Sequence, residues 1–189
     1  MNNFDSINIA EGVKKVEVIS NPTAYPLIGK GAQGAVFKIS SDKCVKICAK
    51  PEYAQKEGAV LKIAQESPII PRLYEVGENY IIMEYLEGPT LFQYLQSGGL
   101  LTENIISQIL FVLKEMKRLK FTRQDADLRH LIVTKDGELK VIDHYSSYTK
   151  SRTRPELIFK GFKKLGLLPM FLEKLQEMDY DSYMEWKDL

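Results

Sequence analysis

The hydrophobic period of the chain changes near its middle. The first 27 residues alternate polar and apolar positions, with turn signals at Asn21-Pro22 and Pro26, and read as lead-in strands. Two apolar runs, Leu27-Ile28 and Ala35-Val36-Phe37-Lys38-Ile39, flank a glycine-rich turn longer than the minimal hairpin kind, and a further strand is expected over 43–49. From Pro51, which suits a first helical turn, residues 52–65 space Ala54, Ala59, Val60, Leu61 and Ile63 among charges in a helical pattern. Pro68-Ile69-Ile70-Pro71 breaks this helix. Two more strands, 73–76 and 80–85, are then separated by Gly77-Glu78-Asn79.

Beyond the linker Glu87-Gly88-Pro89 the period becomes helical. A short helix is expected over 90–96 and a longer one over 102–120, with Ile105, Ile106, Ile109, Leu110, Leu113 and Met116 on one face. Leu131-Ile132-Val133 and Leu139-Lys140-Val141-Ile142, joined by Thr134-Lys135-Asp136-Gly137-Glu138, form a strong hairpin signal. After Arg154-Pro155, residues 156–189 read as amphipathic helices broken at Gly166 and Pro169. The fold class is therefore α+β, with a sheet-rich part over 1–87 that holds one helix and a helical part over 88–189.

Charge and composition narrow the function classes. The 189 residues carry 26 Lys and Arg against 25 Asp and Glu, a net +1. No clear nucleic-acid or membrane-surface signal follows from such a balance. Lys160, Lys163 and Lys164 read as a solvated helix face. No window approaches the roughly 18 apolar residues of a membrane span, and the N-terminus lacks a basic region followed by an apolar core. Cys44 and Cys48 lie in one apolar run and are expected as buried free thiols, which suits a cytoplasmic protein.

The candidate chemistry begins at Gly29-Lys30-Gly31-Ala32-Gln33-Gly34-Ala35-Val36. Glycines without Cβ atoms let main-chain N–H groups approach phosphate oxygens. A cation on a rigid strand must then meet the phosphate charge, and a carboxylate must hold that cation. Lys46, in Cys44-Val45-Lys46-Ile47, suits the first role, and Glu52, Glu57 and Glu66 on the helical segment are open for the second.

This order of parts resembles the protein-kinase fold over residues 28–143. The resemblance implies two lobes, an antiparallel N-lobe sheet with one helix and a reduced helical C-lobe, and ATP with Mg²⁺ as cofactors. It implies that Ile28, Gly29, Gly31, Gly34 and Val36 cover the nucleotide and that Lys46 and Glu57 hold its phosphates. Ile81-Ile82-Met83-Glu84-Tyr85-Leu86-Glu87-Gly88 resembles the hinge of that family, with Met83 as gatekeeper and Glu84 and Leu86 in contact with adenine.

The segment Arg123-Gln124-Asp125-Ala126-Asp127-Leu128-Arg129-His130 offers two aspartates for the acceptor. Asp127-Leu128-Arg129 resembles the family's Asp-Leu-Lys, but the register set by Leu131-Ile132-Val133 favours Asp125. Asp143 follows 18 residues later, the family's usual interval, as the metal ligand. Three departures are visible. Arg123-Gln124 replaces His-Arg, Asp143-His144-Tyr145 replaces Asp-Phe-Gly, and His130 stands where the family has a metal-binding asparagine. Imidazole is a poor Mg²⁺ ligand, so His130 implies one metal site lost or a shift toward Mn²⁺. A similar histidine occurs in the lipopolysaccharide core kinases. Asp127 occupies the place of a phosphate-facing lysine, and Arg129 is the candidate to restore that charge.

The expected activity is transfer of the γ-phosphoryl group of ATP to a hydroxyl acceptor, protein or small molecule, in the manner of compact bacterial serine/threonine kinases. The alternatives are a pseudokinase that binds nucleotide as a regulatory module, a small-molecule or saccharide kinase, and nucleotidyl transfer from a reversed ATP.

Overall fold

The computed structural model describes residues 3–149 and 151–189. Its contacts divide the chain into two compact units, one formed by residues up to Glu66 with Pro71–Leu86, the other by Ser67–Ile70 with Glu87–Leu189.

In the first unit β1 (Asn8–Ala10) and β2 (Glu17–Ser20) pair with each other as a separate antiparallel hairpin. A five-stranded antiparallel sheet follows, built from β3 (Leu27–Lys30), β4 (Gly34–Lys38), β5 (Lys43–Cys48), β6 (Leu73–Val76) and β7 (Tyr80–Glu84) in the order β3-β4-β5-β7-β6. Alternation explains the face that closes. Phe37, Val45, Ile47 and Ile82 point to one side and, with Phe4, Ile7 and Val16 from the N-terminal segment, make a buried cluster. The helix α1 (Pro51–Ile63) begins on Pro51 as the composition requires. It buries Ala54, Glu57, Gly58, Val60 and Leu61, while Ile63 of the expected apolar face is 66% exposed. A Cβ on Gly58 would lie 2.7 Å from a Val76 methyl, so this glycine is what lets α1 settle onto β6.

The second unit is helical. The helix α2 (Leu91–Gln96) starts in a capping box in which Thr90 and Gln93 satisfy each other's backbone N–H groups. The helix α3 (Glu103–Arg118) buries Ile105, Ile106, Ile109, Val112, Leu113 and Met116, matching its predicted stripe save that Val112 takes the place of Leu110. Glu115 is also buried on this face. It accepts from Ser67 Oγ at 2.6 Å and from Arg118 at 2.8 and 2.9 Å, which ties the 67–70 segment beneath the helix. The hairpin β8 (Leu131–Val133) and β9 (Leu139–Val141) turns through Gly137 at φ +77°. The C-terminal helices are α4 (Glu156–Leu165), α5 (Leu168–Met178) and α6 (Tyr180–Trp186). Gly166 ends α4 in the left-handed region. Pro169, expected as a breaker, sits in the first turn of α5, where its missing N–H has no partner to lose. Between α4 and α5 Phe171 stacks on Phe162 and meets Phe159 edge-on. Lys160, Lys163 and Lys164 are solvent-exposed. Among the described residues no helix is long and apolar enough to cross a membrane.

Candidate active site

The three loop glycines do different work. A Cβ on Gly34 would lie 2.4 Å from the Ile47 carbonyl oxygen, so only glycine lets β4 approach β5 there. A Cβ on Gly29 or Gly31 would meet no atom within 4 Å. These two positions are thus free of a packing requirement, and their backbone is open to a close approach of another group. Ile28 and Leu27 at the rim are exposed at 42% and 44%. Val36 pairs with Lys46 across β4 and β5.

Lys46 lies mid-sheet, opposite Val36 on one side and Ile81 on the other. Its Nζ is 2.5 Å from Glu57 Oε2, and both side chains are nearly buried. A buried lysine needs such a partner, and it is Glu57, one of the three glutamates on the helical segment, that provides it; Glu52 and Glu66 are exposed. Met83 and Glu84 end β7 opposite Cys44 and Lys43, with Leu86 just beyond. The Glu84 carboxylate accepts from the Arg72 amide at 3.0 Å, and its carbonyl accepts from Cys44 Sγ at 3.6 Å. Cys44 and Cys48 are free and buried. Burial pushes their thiols up to about 12 and about 11, so neither is a ready metal ligand.

In the second unit one cavity collects Arg123, Asp125, His130, Asp143, His144 and Ser147. His130 closes a short 3₁₀ turn before β8, and Asp143 follows β9; the Ile142 amide donates to the His130 carbonyl at 2.9 Å, which fixes the two segments together. His130 Nε2 stands 3.8 Å from Asp143 Oδ2. Burial holds the His130 pKa below its ordinary value, against the pull of Asp143 and Asp127, so the ring is neutral at pH 7 and able to ligate. Asp143 adopts φ +66°, a left-handed conformation that aspartate tolerates but few side chains prefer. The buried His144 directs Nε2 at the Val141 carbonyl, 2.8 Å away. A carbonyl only accepts, so Nε2 carries the proton and Nδ1 receives the Ser147 hydroxyl at 3.4 Å. His144 is thereby a fixed wall of the cavity.

Asp125 is 2% exposed, and its carboxylate accepts the amides of Leu157 at 2.8 Å and Ile158 at 3.4 Å, at the start of α4. Pro155 supplies no side-chain cap to that helix, so Asp125 supplies one from 32 residues upstream. Arg152 stands 4.0 Å away, and its main chain bonds to Thr122 and Gln124. Burial raises the Asp125 pKa to about 6 against the opposing effect of those hydrogen bonds and the nearby arginines. Asp127 caps the 3₁₀ turn and is held by Arg129 at 2.9 and 2.6 Å, which keeps its carboxyl below the ordinary value despite partial burial. Arg129 is therefore committed to Asp127, with its head largely in solvent. Sequence reasoning singled out neither Ser147, which lines the cavity, nor Arg152, which stands beside Asp125, because both lie in segments whose own composition carries no signal.

Among the described residues no group of three or more His, Cys, Asp or Glu converges as a metal site. The donor set at the cavity is one carboxylate, Asp143, and one neutral imidazole, His130. Such a set fits a divalent cation whose remaining ligands come from phosphate oxygens and water.

No protein-family model matches the chain. It is 31% identical over 155 residues to a Bacillus subtilis (strain 168) protein named "Putative serine/threonine-protein kinase YrzF", covering 79% of this chain and 72% of that one. Sperm motility kinase 2A of Mus musculus is 30% identical over 138 residues, 63% of this chain and 27% of its own length. Serine/threonine-protein kinase PrkC of Bacillus subtilis is 30% identical over 86 residues, and there the chain spans only 13% of the relative. Identity at this level across most of both chains, in an α+β protein with an antiparallel five-stranded sheet and a helical remainder, is decisive: the chain belongs to the protein kinase-like superfamily.

Proposed function

We propose that the protein binds ATP and transfers its γ-phosphoryl group to a hydroxyl, as serine/threonine kinases do. The buried Lys46–Glu57 pair carries this reading. A sheet core gains little from a desolvated ion pair, whereas a lysine held rigidly beside an open glycine loop is suited to oxygens of the α and β phosphates. ATP would supply the phosphoryl group, and a divalent cation held by Asp143 with His130 would neutralise its charge. Ile28, Gly29, Gly31 and Val36 would cover the nucleotide, and Met83, Glu84 and Leu86 would line its base. Asp125 would hold the acceptor hydroxyl and take its proton, for which a pKa near 6 is suited. Arg129 would steady Asp127 rather than face the phosphate.

A second reading, a nucleotide-binding pseudokinase, draws on one observation: the Asp125 carboxylate is already engaged by two α4 amides. Incubation with ATP labelled separately at the γ and α phosphates, with Mg²⁺ or Mn²⁺, tests both. γ-Label on protein or on generic acceptors, lost in Asp143→Ala, supports the kinase. α-Label points to nucleotidyl transfer, and binding without transfer in either metal supports the pseudokinase.

A further inference from the structure

The β1–β2 hairpin has no role in the chemistry described so far, yet it reaches the tip of the glycine loop. The Val16 amide, at the foot of β2, donates to the Gly31 carbonyl at 2.9 Å. The Gly31 amide donates to the Gly34 carbonyl, also at 2.9 Å, so both polar groups of this glycine are engaged. On its far side the loop is fixed once more, by the Ala49 amide on the Gln33 carbonyl at 2.9 Å. Of these bonds only the one from Val16 comes from a different sheet element, since Ala49 directly follows β5.

The hairpin is itself anchored twice. Val16 is fully buried in the cluster with Phe4, Ile7, Phe37 and Ile47, which sets its height over the sheet. Glu11, before the turn, accepts from Lys50 Nζ at 2.9 Å and from the Tyr53 hydroxyl at 3.1 Å. Lys50 is the N-cap residue of α1 and Tyr53 lies in its first turn. A Cβ on Gly12 would sit 2.2 Å from the Lys15 carbonyl oxygen, so the turn between the two anchors is tight and of fixed shape. One rigid hairpin thus touches the loop at Gly31 and the start of the helix that carries Glu57.

We propose that the β1–β2 hairpin is a strap that positions the glycine loop and links it to α1, with Val16 and Glu11 as positioning residues. The inference rests on the nucleotide reading given above for its consequence, though not for its geometry. A loop of three glycines has many conformations to lose on binding a ligand. A strap that holds its tip in advance reduces that loss, so nucleotide affinity depends on residues that never touch nucleotide.

The test uses the full chain and three variants. Val16→Pro removes the amide hydrogen, Val16→Ala keeps it while trimming the packed side chain, and Glu11→Gln weakens the exposed anchor on α1. Hydrogen exchange at the Gly31 amide and affinity for a fluorescent ATP analogue are measured in each. In Val16→Pro, loss of one backbone hydrogen bond should speed exchange at Gly31 by about tenfold and weaken the analogue several-fold. Val16→Ala should lower the melting temperature and leave both readouts near wild type. Equal effects of the two variants on Gly31 exchange would overturn the strap. Should Val16→Pro fail to fold, Glu11→Gln decides: exchange rising together over 9–18 and 29–34 supports the proposal, whereas a rise confined to the hairpin sinks it. Absence of analogue binding by the wild-type chain refutes the nucleotide reading alone, with exchange at Gly31 still judging the strap.

Discussion

The Asp125 carboxylate receives the Leu157 amide at 2.8 Å, so the aspartate proposed to hold the acceptor hydroxyl also starts helix α4. The two roles compete for the same lone pairs, and the competition can be measured.

Burial raises the Asp125 pKa from 3.8 to about 6. Between those pH values the unfolded chain gives up this proton before the folded one does. The native state then binds the proton more tightly, and the contribution of Asp125 to stability falls as pH rises from about 4 to about 6. A shift of about two units corresponds to about 3 kcal/mol. Urea unfolding of wild type and Asp125→Asn at pH 4 and pH 7.5 isolates it, since groups common to both cancel. The wild type should lose about 2 kcal/mol relative to the variant between the two pH values, because pH 4 already lies just above the unfolded pKa. An identical difference at both pH values would refute the buried-carboxylate account.

Glu57→Ala should destabilise the first unit by about 3–5 kcal/mol, because Lys46 is left buried without its carboxylate. Lys46→Met combined with Glu57→Leu should recover most of that loss, since an apolar pair of similar volume carries no desolvation cost. Denaturant midpoints check both. A double variant no more stable than Glu57→Ala alone would show that the pair is not the source of the effect.

Gly34→Ala and Gly31→Ala should separate packing from ligand approach. The first drives a Cβ against the Ile47 carbonyl and should cost about 1–3 kcal/mol. The second meets nothing within 4 Å, so its melting temperature should stay within a few degrees of wild type while affinity for the ATP analogue falls. Thermal melts and titrations of the two proteins side by side decide the matter; parallel losses of stability would contradict the assignment.

His130 predicts a metal preference. A neutral imidazole beside Asp143 favours Mn²⁺ over Mg²⁺, and His130→Asn should shift the ratio of rates toward Mg²⁺ by about tenfold. Because burial lowers the His130 pKa, the Mn²⁺ preference should persist somewhat below pH 6.5, where a free imidazole would already be charged. Rates of γ-label transfer with each metal at pH 6 and pH 7.5 test this.

Local periodicity made the strands, the helices and their order legible. The alternation in 35–39 and 43–49, the helical stripe of 102–120 and the Asp136-Gly137 turn each carry their structure within twenty residues. The Lys46–Glu57 contact was legible only through the resemblance, since Glu52 and Glu66 share the segment and periodicity alone does not choose among the three. What escaped depends on long-range backbone contacts. The group that donates to Asp125 is a main-chain amide 32 residues away, and a main-chain donor has no residue identity to read. The same holds for Val16 and Gly31. The exposure of Ile63 on α1 has another cause: Gly58 draws the opposite face of the helix onto Val76 and turns Ile63 outward.

The two thiols flanking Lys46 on β5 give the sheet a reporter of its own. Each is buried and protonated at neutral pH, so an alkylating reagent can reach Cys44 or Cys48 only when the strand leaves its neighbours. The labelling rate then measures how often the lysine-bearing strand opens, and its slowing by added ATP would give the binding free energy without any engineered probe.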